Sequence, residues 1–341
     1  MIKNKFDSSS IVGLLLLSSL LLILFSFDLQ IGTFDISPQD ILHTLVGIEE
    51  NTQKALIIEK IRLPKSLMAI VVGTALAMAG CLLQTLLNNP MASPFSLGVS
   101  SAAAFGAAMA ILTSFSIPLL SSSLTIAFGA FIAATLSSLI LYWFVSKTQA
   151  NGATLILVGI LISFTFQSGL SAAQFYASPE DLAQITFWMF GSLERASYST
   201  VLIVTLVIII CLLFTIPRVW SLTGLRQGDE RAEANGVPLK KTRLQFFLVA
   251  SLLTSIATSF VGIIGFIGLI SPHLARSLFG EDHRYLLPSS MLIGANTMVA
   301  ASILSKILNP GAIFPIGIVT ALVGVPLMLA VLVHNRGELW N

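Results

Sequence analysis

The chain has 341 residues, of which 55% are hydrophobic and only 10% charged, and its mean hydropathy is +0.91. A soluble domain would leave much of that apolar surface in water, so the composition excludes a soluble protein and predicts an integral membrane protein. The net charge of +2 gives no indication of a nucleic-acid partner.

Apolar segments long enough to cross a membrane, about 20 residues each, follow one another along the chain. There are ten: Ile11–Phe27, Ser66–Leu87, Leu97–Phe115, Leu124–Val145, Leu155–Phe175, Val201–Ile216, Leu244–Val261, Gly262–Leu278, Leu287–Leu304 and Phe314–Val333. None shows the alternation typical of membrane-spanning β-strands. The pattern predicts an all-α fold, that of a polytopic membrane protein with about ten transmembrane helices in one domain, residues 1–341.

Basic residues predict the orientation of these spans. With the N-terminus in the cytoplasm, twelve Lys and Arg residues lie inside and six outside, as the positive-inside rule requires. The six outer residues are Lys54, Lys60, Arg62, Lys65, Arg195 and Lys306. We therefore expect both termini in the cytoplasm. Cys81 and Cys211 fall inside predicted spans, which argues against a disulfide framework outside the cell.

Charged groups are scarce inside the predicted spans. All sixteen Asp and Glu residues fall in loops, tails or span ends, whereas an ion-coupled transporter usually needs an ionisable group within the membrane. Sodium sites built from backbone carbonyls stay open as an alternative. The chain also has no GxxxxGK[ST] phosphate-binding loop, so if it is a pump, another polypeptide must hydrolyse ATP.

The four histidines form no catalytic or metal-binding motif, and neither HExxH nor GxSxG occurs. His283 follows Asp282 in the sequence EDHR, but two adjacent loop residues without a third ligand make a poor metal site. We interpret His283 as a loop cap in the headgroup region. We expect neither a metal site nor an enzyme activity in this chain.

Small residues recur at helical spacing in three segments, where they would let helices approach closely in lipid. They are Gly73, Ala77 and Gly80; Ala102, Gly106 and Ala110; and Gly262, Gly265 and Gly268. The pattern favours a compact bundle and identifies no substrate.

The densest charge between the spans lies in Leu225–Arg243, LRQGDERAEANGVPLKKTR. Asp229 and Glu230 suit the positive end of a short helix, Gly236 suits a left-handed stop, and Pro238 can open a second helix. Such an element is typical of a surface presented to a soluble partner. A solvated loop that only keeps basic residues in the cytoplasm would have the same composition, so both interpretations stay open.

Motifs in a fixed order resemble one known family. Arg62–Ser101 reads RLPKSLMAIVVGTALAMAGCLLQTLLNNPMASPFSLGVSS, which resembles the FecCD-like membrane subunits of type II ABC importers for iron–siderophores, haem and cobalamin. Later segments resemble the same family: DLAQITFWMFGSL, DERAEANGV, GIIGFIGLISPHLAR, GEDHRYLLPSS and FPIGIVTALVGVPLMLAVL. The resemblance covers nearly the whole chain from residue 55 onward, and it includes polar positions that hydrophobic similarity does not explain.

The resemblance implies that the chain is a transport subunit in the bacterial cytoplasmic membrane, where it contacts membrane lipid. Its partners would be ABC ATPase subunits, a second permease subunit (identical or related) and a periplasmic or lipid-anchored substrate-binding protein. ATP and Mg would bind to the ATPase, and this chain would hold no cofactor. An iron–siderophore complex is the expected cargo, because it is the family's most frequent one, with haem or cobalamin as alternatives.

The resemblance also implies roles for residues on the cytoplasmic side. Leu225–Arg243 becomes the coupling segment, whose ATPase-facing residues would be Asp229, Glu230, Arg231, Ala232 and Gly236. The cytoplasmic gate would lie in NPMASP, with Asn89 and Pro90, and in NGAT, with Asn151, Gly152, Ala153 and Thr154.

On the outer side, Arg62, Lys65 and Lys306 match basic family positions that pair with acidic residues of the binding protein. Lys65 and Lys306 stand where the family has Arg. Lys keeps the positive charge but cannot make the two parallel hydrogen bonds that a guanidinium makes to a carboxylate. Snorkelling at a span end is the alternative role for Arg62 and Lys65.

Overall fold

The computed structural model describes residues 8–48, 53–114, 117, 121–148, 152–308 and 314–334. These residues form fifteen α-helices, and no β-strand occurs among them, which confirms the predicted all-α fold. The helices are α1 (Ser8–Gln30), α2 (Pro38–Leu45), α3 (Gln53–Ile57), α4 (Leu63–Leu86), α5 (Val99–Leu112), α6 (Ser122–Thr148), α7 (Gly152–Tyr176), α8 (Pro179–Met189), α9 (Tyr198–Thr215), α10 (Val219–Leu225), α11 (Asp229–Ala234), α12 (Leu239–Val261), α13 (Ile267–Phe279), α14 (His283–Leu308) and α15 (Ile316–His334). A π-helical turn, Ile58–Arg62, joins α3 to α4.

Each predicted span overlaps one of these helices. Within the described residues, seven helical stretches are long and apolar enough to cross a membrane: Ser8–Gln30, Gln53–Leu86, Ser122–Phe144, Ile156–Tyr176, Tyr198–Leu225, Leu239–Val261 and His283–Leu308. Shorter apolar helices lie at α5 and α15, and α13 accounts for the tenth span. The prediction of a polytopic membrane protein with about ten transmembrane helices is confirmed.

The predicted span Gly262–Leu278 is helical only in its second part. At Gly262 φ is +81°, a value that glycine adopts without strain, and α12 ends there. The next helix, α13, begins only after Phe266, has 13 residues and is about 20 Å long. The expected helical stripe of Gly262, Gly265 and Gly268 is therefore wrong, because the first two glycines lie outside any helix.

The central helix of the bundle is α4. It packs against α9, α12, α13 and α14, and its side chains from Ala75 to Leu86 are buried on every side. A helix that is apolar all round is stable in such a position, because other helices cover each of its faces. A second group, in which α5 packs on α6 and α7, joins the first through contacts between α6 and α12.

Glycines lie where several helices cross closely. A Cβ atom added to Gly73 of α4 would overlap the carbonyl oxygen of Gly294 in α14, and one added to Gly80 would overlap that of Gly268 in α13. The pair Gly106 and Gly129 brings α5 and α6 together in the same way. The stripes predicted in the second and third spans therefore serve close packing.

Candidate functional sites at the two ends of the bundle

The coupling segment contains a short helix with defined ends. α11 begins at Asp229 and is flanked by Gly228 and Gly236, which have φ values of +97° and +78°. Pro238 directly precedes α12. The Asp229 carboxylate accepts a hydrogen bond of 2.6 Å from the guanidinium of Arg243 in α12, which ties the start of α11 to the next helix. The helix, its left-handed stop and the restart after Pro238 are as predicted.

The faces of α11 differ in exposure. Asp229, Glu230, Arg231 and Gly236 are exposed. Ala232 is fully buried and belongs to the same apolar cluster as two leucines of α10. Ala232 thus anchors α11 to the bundle, and the expectation that it faces an ATPase is corrected, because no part of its side chain reaches the surface.

A polar network that the sequence analysis missed lies beside the coupling segment. The guanidinium of Arg226 donates two hydrogen bonds to the Glu281 carboxylate, of 3.0 and 2.6 Å, and a third of 2.6 Å to Asn88 Oδ1. On the other side of Glu281, Arg276 Nε lies 3.0 Å from Oε1, and Arg276 Nη1 donates to Gln84 Oε1 at 3.0 Å. Two arginines therefore meet at one carboxylate, and each of them also binds a side-chain amide near the end of α4.

The charge of Glu281 is stabilised by these contacts. Burial by itself raises the pKa of this carboxyl, but the Arg226 hydrogen bond and the positive charges of Arg276 and Arg226 outweigh it and hold the pKa below its ordinary value. Glu281 is therefore ionised at neutral pH and forms ion pairs with both arginines.

His283 is the first residue of α14 and is buried inside the protein, so it is not an exposed loop cap, which corrects the sequence interpretation. Its ring is fully buried, its Nε2 lies 2.7 Å from Thr85 Oγ1, and its backbone N–H donates to Thr223 Oγ1 at 3.3 Å. The first turn of α14 is thereby joined to α4 and α10. Over the part of the chain that the structure describes, no group of three or more His, Cys, Asp or Glu side chains is arranged to hold a metal ion.

The predicted gate residues lie on two elements. Asn89 and Pro90 are in the loop after α4, where Asn89 Oδ1 accepts the Met91 N–H at 2.8 Å. Of the NGAT segment, Gly152, Ala153 and Thr154 open α7, while Asn151 lies outside the described residues. The turn Phe95–Leu97 that follows the first loop packs on α7, so the two segments belong to elements in contact.

At the predicted outer end, the three docking cations lie close together, and each of them binds an acceptor within the chain. Arg62 is 6% exposed and donates to the carbonyl oxygens of Leu29 and Gln30 at 2.8 and 2.7 Å. Lys306 donates to Asp28 Oδ1 at 2.7 Å, and the Asp28 carboxylate also accepts from a serine hydroxyl of α4. Asp28 is fully buried, so this pair is shielded from solvent.

The third cation, Lys65, pairs with Glu194, a residue of the α8–α9 loop that the sequence analysis did not single out. The pair lies at a cavity of about 290 Å³ that Lys306, Phe187 and Phe314 also line. Lys65 and Lys306 thus share one cavity, and Arg62 lies behind it against the end of α1.

Comparisons with known proteins agree with the fold and identify the family. The sequence profile of the FecCD transport family matches residues 20–334. The hemin transport system permease protein HmuU of Yersinia pestis is 36% identical over 82% of this chain and 83% of its own length. The Fe(3+) dicitrate transport system permease protein FecD of Escherichia coli is 37% identical over 81% of this chain and 84% of its own length.

A solved structure of an ABC transporter of the metal-chelate type, in an inward-facing conformation, superposes with a TM-score of 0.83 at 30% identity and covers 94% of this chain and 98% of its own. Relatives at 33% and 31% identity are named as permeases of molybdate and vitamin B12 import systems. The chain therefore belongs to the FecCD transport family and has the fold of a type II ABC importer permease.

Proposed function

We propose that this chain is the permease subunit that moves an iron–siderophore complex across a bacterial cytoplasmic membrane, with both of its termini in the cytoplasm. Among its relatives, one at 37% identity is named for ferric dicitrate, and a solved neighbour is of the metal-chelate type, which favours a ferric chelate as cargo. Haem and cobalamin are the alternatives, since relatives named for both are similar over most of the chain.

The observation that carries the proposal is α11. It is held to α12 by Asp229 and Arg243 and to the bundle by Ala232, while Glu230 and Arg231 stay exposed. A short, anchored helix with exposed charges suits a contact through which an ATPase moves the bundle, because a rigid element transmits force better than a mobile loop. ATP and Mg²⁺ would bind to that ATPase, and no bond of the cargo is broken by this chain.

A substrate-binding protein would dock at the outer end. We place the direct contacts on Lys65 and Lys306, because both line the outer cavity. Arg62 would support them, since its guanidinium fixes the end of α1. Acidic side chains of the binding protein would replace Glu194 as the partner of Lys65.

The translocation path would form between this chain and a second permease subunit, identical or related. On the cytoplasmic side we assign its closure to the loop with Asn89 and Pro90 and to residues 151–154. Helix-breaking residues are tolerated there because protein or a water-filled cavity can satisfy the irregular backbone.

The proposal is tested in proteoliposomes that contain this chain, the ATPase and any second permease encoded beside it, and the binding protein loaded with radiolabelled ferric siderophore. Accumulation that needs both ATP and the binding protein is the expected result. The assay is repeated with haem, cobalamin and molybdate. Import of one of these in place of the ferric siderophore would identify it as the cargo. Uptake driven by an ion gradient without the ATPase would overturn the importer mechanism.

A further inference from the structure

The polar network around Glu281 connects the coupling segment to the loop assigned to the gate. Arg226 lies three residues before the first residue of α11, and its guanidinium reaches Asn88 directly. Asn88 immediately precedes Asn89, which shapes the gate loop through its bond to the Met91 N–H. Two side chains, those of Arg226 and Asn88, therefore connect the start of α11 to that loop, and a displacement of α11 can reach the loop through them.

Glu281 joins this path to a second, weaker branch. Arg226 makes two hydrogen bonds to the carboxylate and one to Asn88, just after α4. Arg276 makes a single ion-pair contact of 3.0 Å with the carboxylate through Nε, and its Nη1 donates to Gln84 in the last turn of α4. The second branch continues, since Gln84 Nε2 donates to the Leu269 carbonyl oxygen in the first turn of α13.

We propose that Arg226, Glu281 and Arg276 form the transmission network of this permease, which carries the movement of α11 to the gate loop and to α13. The inference rests on the proposed docking of an ATPase at α11. In this role Asn88 and Gln84 are positioning residues: they contact neither ATP nor cargo, and they act through the two arginines.

The geometry of the network suits the transmission of movement better than a role limited to holding these segments together. The Arg226–Glu281 pair is bidentate, which fixes direction as well as distance, so a moving Arg226 guanidinium carries Glu281 with it. The side chains of Arg226 and Arg276 are 18% and 14% exposed, whereas that of Glu281 is 44% exposed, so the pairs are shielded only on the arginine side from the solvent screening that weakens surface ion pairs. A chain of side-chain contacts between rigid elements is a physical carrier of coupling.

Asn88 offers a matched pair of variants. Its φ of +46° lies in the left-handed region, which Gly, Asn and Asp adopt more readily than other residues. Asn88→Gly removes the contact with Arg226 and keeps the backbone conformation. Asn88→Asp keeps an acceptor for Arg226 at the same place. Glu281→Gln tests the central carboxylate, because it has nearly the same shape and no charge.

The experiment measures cargo import per ATP hydrolysed, with the reconstituted complex and radiolabelled ferric siderophore, haem, cobalamin and molybdate as probes. For Asn88→Gly and Glu281→Gln we expect the ATPase to co-purify and hydrolyse ATP at nearly the wild-type rate, while import per ATP falls about tenfold. Asn88→Asp should restore the wild-type ratio. Asp282→Asn is the control, since it weakens the neighbouring Asp282–Arg284 pair and leaves the network intact.

Unchanged import per ATP in Asn88→Gly and Glu281→Gln would overturn the inference and leave the proposed function standing. Loss of ATPase co-purification in these variants would also overturn it, because the network would then serve docking and not transmission. A wild-type chain that neither binds the ATPase nor imports any of the four probes would overturn the proposed function and this inference with it.

Discussion

The ammonium of Lys306 lies 2.7 Å from a carboxylate oxygen of Asp28, and this ion pair joins the end of α14 to the end of α1. Asp28 is fully buried, and the side chain of Lys306 is 12% exposed. Since α1 lies at the periphery of the bundle and contacts mainly α14, the pair is one of the few polar links that hold it.

We expect Asp28→Asn to destabilise the protein by about 3–5 kcal/mol, because the variant leaves the Lys306 charge buried without its partner. The double variant Asp28→Asn with Lys306→Met should recover much of the loss, since both charges are then removed. The melting temperature in detergent, compared among wild type, single and double variants, checks this. A double variant no more stable than Asp28→Asn would show that the pair itself is not what stabilises the end of α1.

Glu194 is expected to compete with the binding protein for Lys65. Glu194→Gln should strengthen binding of the binding protein by a few-fold, on the order of 1 kcal/mol or less, because it frees Lys65 from a half-exposed partner. Lys65→Gln should weaken binding and reduce its dependence on salt. Dissociation constants at low and high ionic strength measure both effects. Weaker binding by Glu194→Gln would contradict the competition.

Ala232, on the buried face of α11, is expected to control the position of that helix against the bundle. Ala232→Leu places three additional carbons in a packed site and should cost about 1–3 kcal/mol. Ala234→Leu is the matched control, since Ala234 is on the same helix but exposed, and its melting temperature should stay near that of the wild type. ATPase co-purification should fall for Ala232→Leu although no exposed residue has changed. Equal melting temperatures for the two variants would contradict the packing role.

Hydropathy was sufficient to predict the long spanning helices, because a helix in lipid needs a long apolar segment. It failed at Gly262–Leu278, where the apolar composition continues but the backbone does not stay helical. There the conformation depends on two positive φ values, at Gly262 and Phe266, and only the glycine has a recognisable sequence signal.

The candidate sites were predictable to the extent that they are local. The charged sequence around Asp229 and Gly236 carries local start and stop signals for a short helix. The network of Glu281 joins residues 88, 226 and 276, and Lys65 pairs with a residue 129 positions away. Such contacts depend on tertiary packing, so no short-range pattern reveals them. His283 was misinterpreted for the same reason, because its partners come from α4 and α10.

The ion pairs of Glu281 should make stability depend on acidity in a defined direction. The pKa of Glu281 in the folded protein is lowered from its ordinary value of 4.5, so the folded state holds this proton less tightly than the unfolded state. The stabilisation is therefore fully present above the ordinary pKa and is lost as the pH falls through the lowered one. Melting temperatures from neutral to acidic pH should show a wild-type advantage over Glu281→Gln that is constant down to the ordinary pKa and shrinks below it. An advantage that grows with acid would contradict the lowered pKa.

The crossing of α4 and α13 should tolerate no side chain at Gly80. A Cβ atom there would overlap the carbonyl of Gly268, and both atoms belong to helix backbones that other helices hold in place. We expect Gly80→Ala to cost about 1–3 kcal/mol or more through overpacking. Gly265→Ala is the matched control, because a Cβ at Gly265 meets no atom within 4 Å and its φ is not positive. Melting temperatures of the two variants in detergent compare them. Equal melting temperatures for Gly80→Ala and Gly265→Ala would contradict this prediction. They would mean that α4 and α13 can move apart without a loss of stability, so that the glycine contact does not set the distance between them.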